Sequence, residues 1–396
     1  MFPENAASGP LSGLRVIEIS AFVAAPLAGM TLAQLGAEVI RVDPVGGGMD
    51  YSRWPLAPGG TSLYWASLNK GKKSLALALE TEEGRETVRT LLRQSGKDGG
   101  IVLTNLPAKG WLDYTSLSDD RPDLILLRLT GNRDGSSAVD YTVNCASGFP
   151  IATGADITPV NHVLPAWDIV AGNQLCIGLL AAERVRSRTG RGQEVTVALS
   201  DVMLSTVANL GYVADVQING YIRPPLGNAL YGAFGNDFVT ADGRRLMLVA
   251  ITPRQWQAIC KATGLGDKLA LVGQALNVDL STEGGLFEAR DALSAVLARW
   301  CAERTLAEVG SALDGTGALW GLYQDFGQLV REDPRCSAAN PMFAEIEQPG
   351  AGTILASGSA LRFASDATPP PMAAPRIGQH NDEILGAIGM DAVPAP

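Results

Sequence analysis

The stretch Leu14-Arg15-Val16-Ile17-Glu18-Ile19-Ser20-Ala21-Phe22-Val23-Ala24-Ala25-Pro26, running on to Leu35-Gly36-Ala37-Glu38-Val39-Ile40-Arg41-Val42-Asp43, decides the fold class. Residues 14–19 read as a short apolar strand. A helix follows from about residue 26 to 35, with Pro26 suited to its first turn. Gly36 ends that helix and residues 38–42 form the next strand, so the segment is a βαβ unit with parallel strands. Working outward, strands are expected at 74–79, 100–104 and 123–129, with a helix over 82–94. Strands separated by helices predict an α/β protein with a doubly wound parallel sheet, and ligands on such sheets bind beyond the carboxyl ends of the strands. Asp43 stands where a dinucleotide fold carries its ribose-binding acid. The turn after the first strand, however, lacks the Gly-x-Gly-x-x-Gly that lets a pyrophosphate approach, which excludes a nicotinamide cofactor.

A second stretch carries the chemistry. Asn161-His162-Val163-Leu164-Pro165-Ala166-Trp167-Asp168 leads into an apolar run over 169–185, with Leu175, Leu179, Ala182 and Val185 at helical spacing. The run is apolar on nearly every side, which predicts a helix buried within the protein. Arg184, Arg186 and Arg188 load its end with positive charge, Gly190 and Gly192 stop it, and a strand is expected over 194–199. Asp168 reads as the N-cap of this helix. It reads equally as a carboxylate kept ionised by unpaired backbone N–H groups, the state a carboxylate nucleophile needs. Position alone leaves both readings open.

A chain of 396 residues exceeds what one core usually holds, so two domains are expected. The linker Arg223-Pro224-Pro225-Leu226-Gly227-Asn228 divides residues 1–222, the large domain, from 223–332, a smaller α+β domain. A hairpin around Asp242-Gly243 and helices over 253–263, 286–301 and 306–313 make up the smaller one. The formal charge of −10 argues against a nucleic-acid or anionic-membrane binder. A phosphate-bearing ligand then requires a local basic cluster. Lys70-Gly71-Lys72-Lys73 and Asn105-Leu106-Pro107-Ala108-Lys109-Gly110 are the candidates, with a solvated turn as the alternative. Five scattered cysteines and two histidines predict neither a metal site nor a disulfide framework, and suit a reducing cytoplasm. Met1-Phe2-Pro3-Glu4-Asn5 does not read as a signal peptide, and no apolar segment reaches membrane-spanning length.

Six segments in order resemble the class III coenzyme A transferases. They are residues 11–18, 35–42, Asn69-Lys70-Gly71-Lys72-Lys73-Ser74, Trp167-Asp168-Ile169, Thr189-Gly190-Arg191-Gly192-Gln193 and Ala374-Pro375-Arg376-Ile377-Gly378-Gln379-His380. The resemblance implies a large domain built from both chain ends, with residues 333–396 returning to it, and an intertwined homodimer. It puts the catalytic carboxylate on Asp168. Coenzyme A contacts fall on Phe22, Val23, Arg41, Lys70, Lys72, Lys73, Asn105, Leu106 and Lys109, joined by Asp140, Asn144 and Gly232. Coenzyme A then enters as part of an acyl-CoA thioester, with a dicarboxylic acid as its acyl partner and no resident cofactor or metal.

A racemase branch of the family needs a histidine where Val139 stands, so that reading loses its acid/base group. Leu230-Tyr231-Gly232-Ala233-Phe234-Gly235 replaces a glycine-rich flap with a bulkier one. Residues 20–27, 46–51, 110–112, 133–136 and 161–168 resemble more narrowly a branch that moves coenzyme A between the two carboxyls of one diacid. That resemblance implies intramolecular transfer through an aspartyl-CoA thioester. Backbone N–H groups near Val170 and Gly232 are candidate oxyanion donors. Arg53, Arg133, His162 and Asn144 are unranked candidates for the distal carboxylate. The alternatives are transfer to a separate acid, and a non-catalytic acyl-CoA binder in which Asp168 is only a cap.

Overall fold

Residues 9–107, 109–365 and 369–390 are described by the computed structural model, so Ala108 and the segment Met1-Phe2-Pro3-Glu4-Asn5 lie outside the described residues. Their arrangement follows from strands buried on both faces. In β1 (Arg15–Ile19), Val16, Ile17, Glu18 and Ile19 are all at most 1% exposed, as a central parallel strand requires. The chain continues through α1 (Ala24–Gln34), β2 (Glu38–Asp43), α2 (Leu63–Leu68), β3 (Lys73–Ala76) and α3 (Glu82–Arg93). It goes on through β4 (Ile101–Thr104), α4 (Tyr114–Asp120), β5 (Ile125–Thr130), α5 (Asp140–Cys145), α6 (Phe149–Thr153), α7 (Ala166–Thr189) and β6 (Gln193–Ala198). The six strands pair in the order β3-β2-β1-β4-β5-β6, all parallel, as the βαβ reading predicts.

Alternation sorts the two faces. Ile17, Ile19, Ile40, Val42 and Leu126 point into a core covered by Val88, Leu91 and Leu92 of α3, Leu117 of α4, and Ile384 and Leu385 of the last helix. On the other face α1 and α7 pack on the sheet and on each other. Gly172 permits their close approach, because a Cβ there would lie 2.8 Å from the Ala24 carbonyl oxygen.

Two compact units divide the chain. The first takes the described residues up to Ser147, then His162–Ile218, then those from Pro334 onward. Its C-terminal return is stitched to β3: Ser74 N–H donates to His380 Nδ1 (3.0 Å), His380 N–H to the Ser74 carbonyl, and Ala76 N–H to Asn381 Oδ1 (2.9 Å). An antiparallel hairpin, Phe343–Gln348 with Gly352–Ser357, was not anticipated from the sequence.

The second unit is Gly148–Asn161 with Asn219–Asp333. It contains the antiparallel sheet Phe234–Val239, Arg245–Ala250 and Leu319–Leu322, whose first turn carries Gly243 at φ 75°. The segment Gly148–Asn161, expected in the large domain, belongs here instead. Leu226 N–H donates to the Ala152 carbonyl (3.3 Å) and Gly227 N–H to that of Gly154 (2.9 Å), pairings between residues distant in sequence. The helix expected over 286–301 is interrupted at Ala289, giving Glu283–Glu288 and Arg290–Ala302.

The expectation of a fully buried α7 also changes. Ile177 and Leu180 are 58% and 44% exposed, because only one side of the helix meets the sheet and α1.

Candidate active site

The sheet order places β1 beside β4 while their connections leave in opposite directions, which opens a crevice at their carboxyl ends. Asn105, just after β4, clasps the loop after β1: its Oδ1 accepts from Ala21 N–H (2.9 Å) and its Nδ2 donates to the Ala21 carbonyl (2.6 Å). The next residue, Phe22, is held at φ 66°, a left-handed conformation that a bulky side chain rarely adopts. Its N–H donates to both Asp50 carboxylate oxygens, at 3.1 and 3.0 Å, a charge-assisted contact that offsets the strain.

Asp50 is held in turn by Arg41, whose NH2 donates to Asp50 Oδ2 and to the Ser20 carbonyl, both at 2.9 Å. Arg41 also pairs with Asp43 and Glu18. Lys72 Nζ completes the cluster, donating to Glu18 (2.8 Å), the Pro26 carbonyl and Asn69 Oδ1 (both 2.9 Å). Burial pushes the Lys72 ammonium down to about 8 against the opposing pull of Glu18. Gly29 makes room for this cluster, since a Cβ there would fall 1.7 Å from Glu18 Oε2.

Part of the expected ligand set is engaged within the protein in this structure. Arg41 and Lys72 are buried and fully engaged with the protein. Lys70 Nζ donates to the Ser357 carbonyl (2.6 Å), and Lys73 pairs with Glu38 and Glu383. The sequence displays four cations in a phosphate-binding pattern, but their directions are set by acidic and carbonyl groups brought up by the fold. Among the remaining expected contacts, Phe22 and Leu106 are exposed at the crevice, 40% and 37%, and Lys109 is exposed beyond them. Val23 is half-buried at the start of α1. Between these loops lies a cleft of about 130 Å³ lined by Ala21, Val42, Asp43, Asp50, Leu79 and Leu106.

Asp168 lies in the first turn of α7, two residues inside it rather than at its cap. The capping role passes to Asp140 at the start of α5, whose Oδ2 accepts from Trp167 N–H (2.7 Å) and Asp168 N–H (3.1 Å). Asn144, one turn further along α5, accepts from Trp167 Nε1 at 3.1 Å. Both residues, expected to touch coenzyme A, are buried beneath the head of α7 and orient it. Val170 lies past the turn with free N–H groups, so its own N–H belongs to the helix ladder and not to an oxyanion site.

The carboxylate of Asp168 accepts no hydrogen bond among the described residues. Burial, with the Asp140 carboxylate adding to it, pushes Asp168 up to about 6, while Arg53 pulls it down. The expectation of a carboxylate stabilised by the helix end is therefore reversed, because Asp140 occupies the free N–H groups. Asp168 remains mostly ionised at neutral pH, half-buried and unengaged, which suits an attacking carboxylate.

Of the distal-carboxylate candidates, Arg133 pairs with Asp201 (2.8 Å) and Asn144 is engaged as above. His162 has a buried Nδ1 without a partner among the described residues. Arg53 lies with its Cζ 5.0 Å from the Tyr64 ring centroid and 5.3 Å from that of Phe22. Tyr64 was missed by sequence reasoning. It belongs to no motif, and only its place in Leu63-Tyr64-Trp65 beside other aromatics could have drawn notice. Gly232 belongs to the second unit, next to Tyr231, whose ring is covered by Arg223 (3.8 Å to the centroid) and meets Phe287 (5.1 Å). The flap residue is thus pinned, as its bulk suggested.

The chain belongs to the class III coenzyme A transferases, since the model of CoA-transferase family III matches residues 11–381. It is 52% identical over 380 residues to 2-methylfumaryl-CoA isomerase of Chloroflexus aurantiacus, covering 95% of this chain and 93% of that protein. It is 28% identical to the succinyl-CoA:mesaconate CoA-transferase of Haloarcula marismortui, covering 97% of each. In three dimensions it matches the crystal structure of a CAIB/BAIF family protein from Brucella suis with a TM-score of 0.78 at 24% identity, covering 96% of this chain and 100% of the other, a likeness of fold.

Proposed function

We propose that the chain moves coenzyme A between the C1 and C4 carboxyls of mesaconate, interconverting 2-methylfumaryl-CoA and 3-methylfumaryl-CoA. One observation carries the reading: a half-buried, unengaged Asp168 carboxylate heads α7 in a chain 52% identical to a 2-methylfumaryl-CoA isomerase. In this reading an Asp168 oxygen attacks the thioester carbonyl, the C–S bond breaks, and a mixed anhydride forms with coenzyme A thiolate released. The thiolate attacks the Asp168 side-chain carbonyl and frees the diacid as a carboxylate, leaving an aspartyl-CoA thioester. The diacid turns round, its other carboxylate attacks that thioester, and the returning thiolate opens the new anhydride to restore Asp168. No proton is gained or lost over the cycle, and no resident cofactor or metal takes part.

Intramolecular transfer requires recapture of the diacid to outrun its escape, which a confined site favours through effective concentration. Further parts of the proposal are a homodimer and a cytoplasmic location. The apolar side chains that α7 and the Leu199–Asn209 helix leave exposed, Ile177, Leu180 and Leu204 among them, support association of two chains. Free thiols at all five cysteines suit a reducing compartment. No helix among the described residues is long and apolar enough to cross a membrane.

The test is incubation with mesaconyl-C1-CoA alone, followed by chromatographic separation of the regioisomers, with isotope-labelled free mesaconate added in a second run. Formation of C4-CoA with little label supports the proposal. Label entering product at the rate of isomerisation makes the protein an intermolecular transferase. No transfer to either carboxyl, with no hydroxylamine modification at Asp168, makes it an acyl-CoA binder.

A further inference from the structure

Tyr64 sits in the first turn of α2, a helix fixed on either side of it. Ser62 caps the helix by accepting from Trp65 N–H, and the Trp65 ring is stacked under Arg41 (4.6 Å to the centroid) with its Nε1 donating to the Pro375 carbonyl (2.8 Å). On this rigid support the Tyr64 hydroxyl is buried and has no hydrogen-bond partner among the described residues. A buried hydroxyl without an acceptor is uncommon in a folded protein and calls for one from elsewhere. Beside it, the guanidinium of Arg53, a solvent-exposed residue, lies on the Tyr64 and Phe22 rings and makes no ion pair among the described residues, which leaves it open to a ligand arriving from solvent.

A fixed O–H donor next to an unpaired planar cation, in reach of the Asp168 charge, matches one ligand chemistry: a second carboxylate on the acyl group. We infer that Tyr64 and Arg53 form the subsite that reads the free carboxylate of a dicarboxylic acyl-CoA, holding it while its other end reacts at Asp168. The inference rests on the coenzyme A transfer reading above. Burial pushes the Tyr64 phenol up to about 12, so it stays a donor throughout the working range, and the Asp168 charge is felt there. The Arg53 charge is felt at both Tyr64 and Asp168, so the pair lies within electrostatic range of the Asp168 carboxylate.

The experiment compares mesaconyl-C1-CoA with tiglyl-CoA, in which a methyl replaces the free carboxylate, using hydroxylamine trapping at Asp168 as the readout. The proteins are the wild type, Tyr64→Phe and Arg53→Gln. At pH 8, where Asp168 is ionised with or without the Arg53 charge, each substitution is expected to slow trapping from mesaconyl-CoA by roughly 10- to 100-fold while leaving tiglyl-CoA trapping and the affinity for free coenzyme A unchanged. An equal fall with both thioesters would overturn the inference, making the pair structural or an oxyanion donor. Unchanged trapping with both would also overturn it. A wild type that traps neither thioester overturns the transfer reading itself, and the subsite with it.

Discussion

The first unit holds two groups of charged side chains assembled under opposite conditions. Beneath the loop after β1, Glu18, Arg41, Asp43, Asp50 and Lys72 are nearly inaccessible, and each finds an oppositely charged partner. At the head of α7, Asp140 and Asp168 lie close enough for like charges to raise Asp168, while Tyr64 and the exposed Arg53 have polar groups with no partner among the described residues. The first group spends its charges on holding backbone: the Ser20 carbonyl and the strained Phe22 N–H. In the second, Asp140 holds backbone as well, but Asp168 and Arg53 stay available. Charges paired within the protein mark a scaffold, even though Glu18 Oε2 there accepts no hydrogen bond among the described residues, and an unpaired cation and hydroxyl within range of a raised carboxylate mark a place where a ligand completes the structure.

The sharpest way to break this contrast is at Asp168. Asp168→Asn is expected to lower kcat by a factor on the order of 10³–10⁶, as removal of a covalent nucleophile does. Its effect on stability has the opposite sign. A carboxyl raised to about 6 in the fold favours folding below its unfolded value near 4 and loses that contribution as pH rises through 6. At pH 7–8 the neutral amide should therefore stabilise the protein by about 1–2 kcal/mol in denaturant titrations, allowing for the solvent that reaches the site. Retained turnover above a few per cent of wild type would remove Asp168 from the mechanism.

Lys72→Ala tests the paired group. It leaves the buried Glu18 with only the longer Arg41 contact (3.5 Å) and the Ser20 hydroxyl (2.7 Å), and a loss of about 2–4 kcal/mol in unfolding free energy is expected. A raised KM for acyl-CoA with unchanged stability would instead restore Lys72 as a phosphate contact.

Asp140→Asn sharpens the comparison between the two carboxylates. Asparagine keeps an acceptor for the Trp167 and Asp168 N–H groups but removes the like charge. The acid limb of the kcat/KM profile, expected near pH 6 in the wild type, should move to lower pH, with little change in rate at pH 8. An unmoved limb would assign the raised Asp168 entirely to burial. The smallest effect is expected at Lys109, an exposed lysine at the crevice. Lys109→Ala should raise KM for acyl-CoA roughly 2- to 5-fold and spare kcat.

Much of the framework was legible without coordinates. Strand and helix periodicity from Arg15 to Asp43 specified a parallel βαβ unit, because two short, mostly apolar strands are joined by a helix-length segment that ends at Gly36, and a parallel pair needs such a crossover. Asp168 was legible through its neighbours Trp167 and Ile169 and through the long apolar helix behind it. Its protonation was not. A helix end stabilises whichever anion reaches the N–H groups first, and Asp140 arrives there from another helix, 28 residues upstream.

The sequence by itself thus determined which chemical groups exist and which local elements carry them, since propensity, capping and alternation act over a few residues. The tertiary structure alone decided where those groups point. Lys70, Lys72 and Lys73 are adjacent in sequence, yet their ammonium groups reach Ser357, Glu18 and the Glu38–Glu383 pair. Tyr64 became notable only when its hydroxyl was buried without an acceptor beside Arg53. Charge and burial act through space and depend on residues far apart in the chain, so the direction of a lysine and the acidity of an aspartate appear only once the fold has brought their neighbours together.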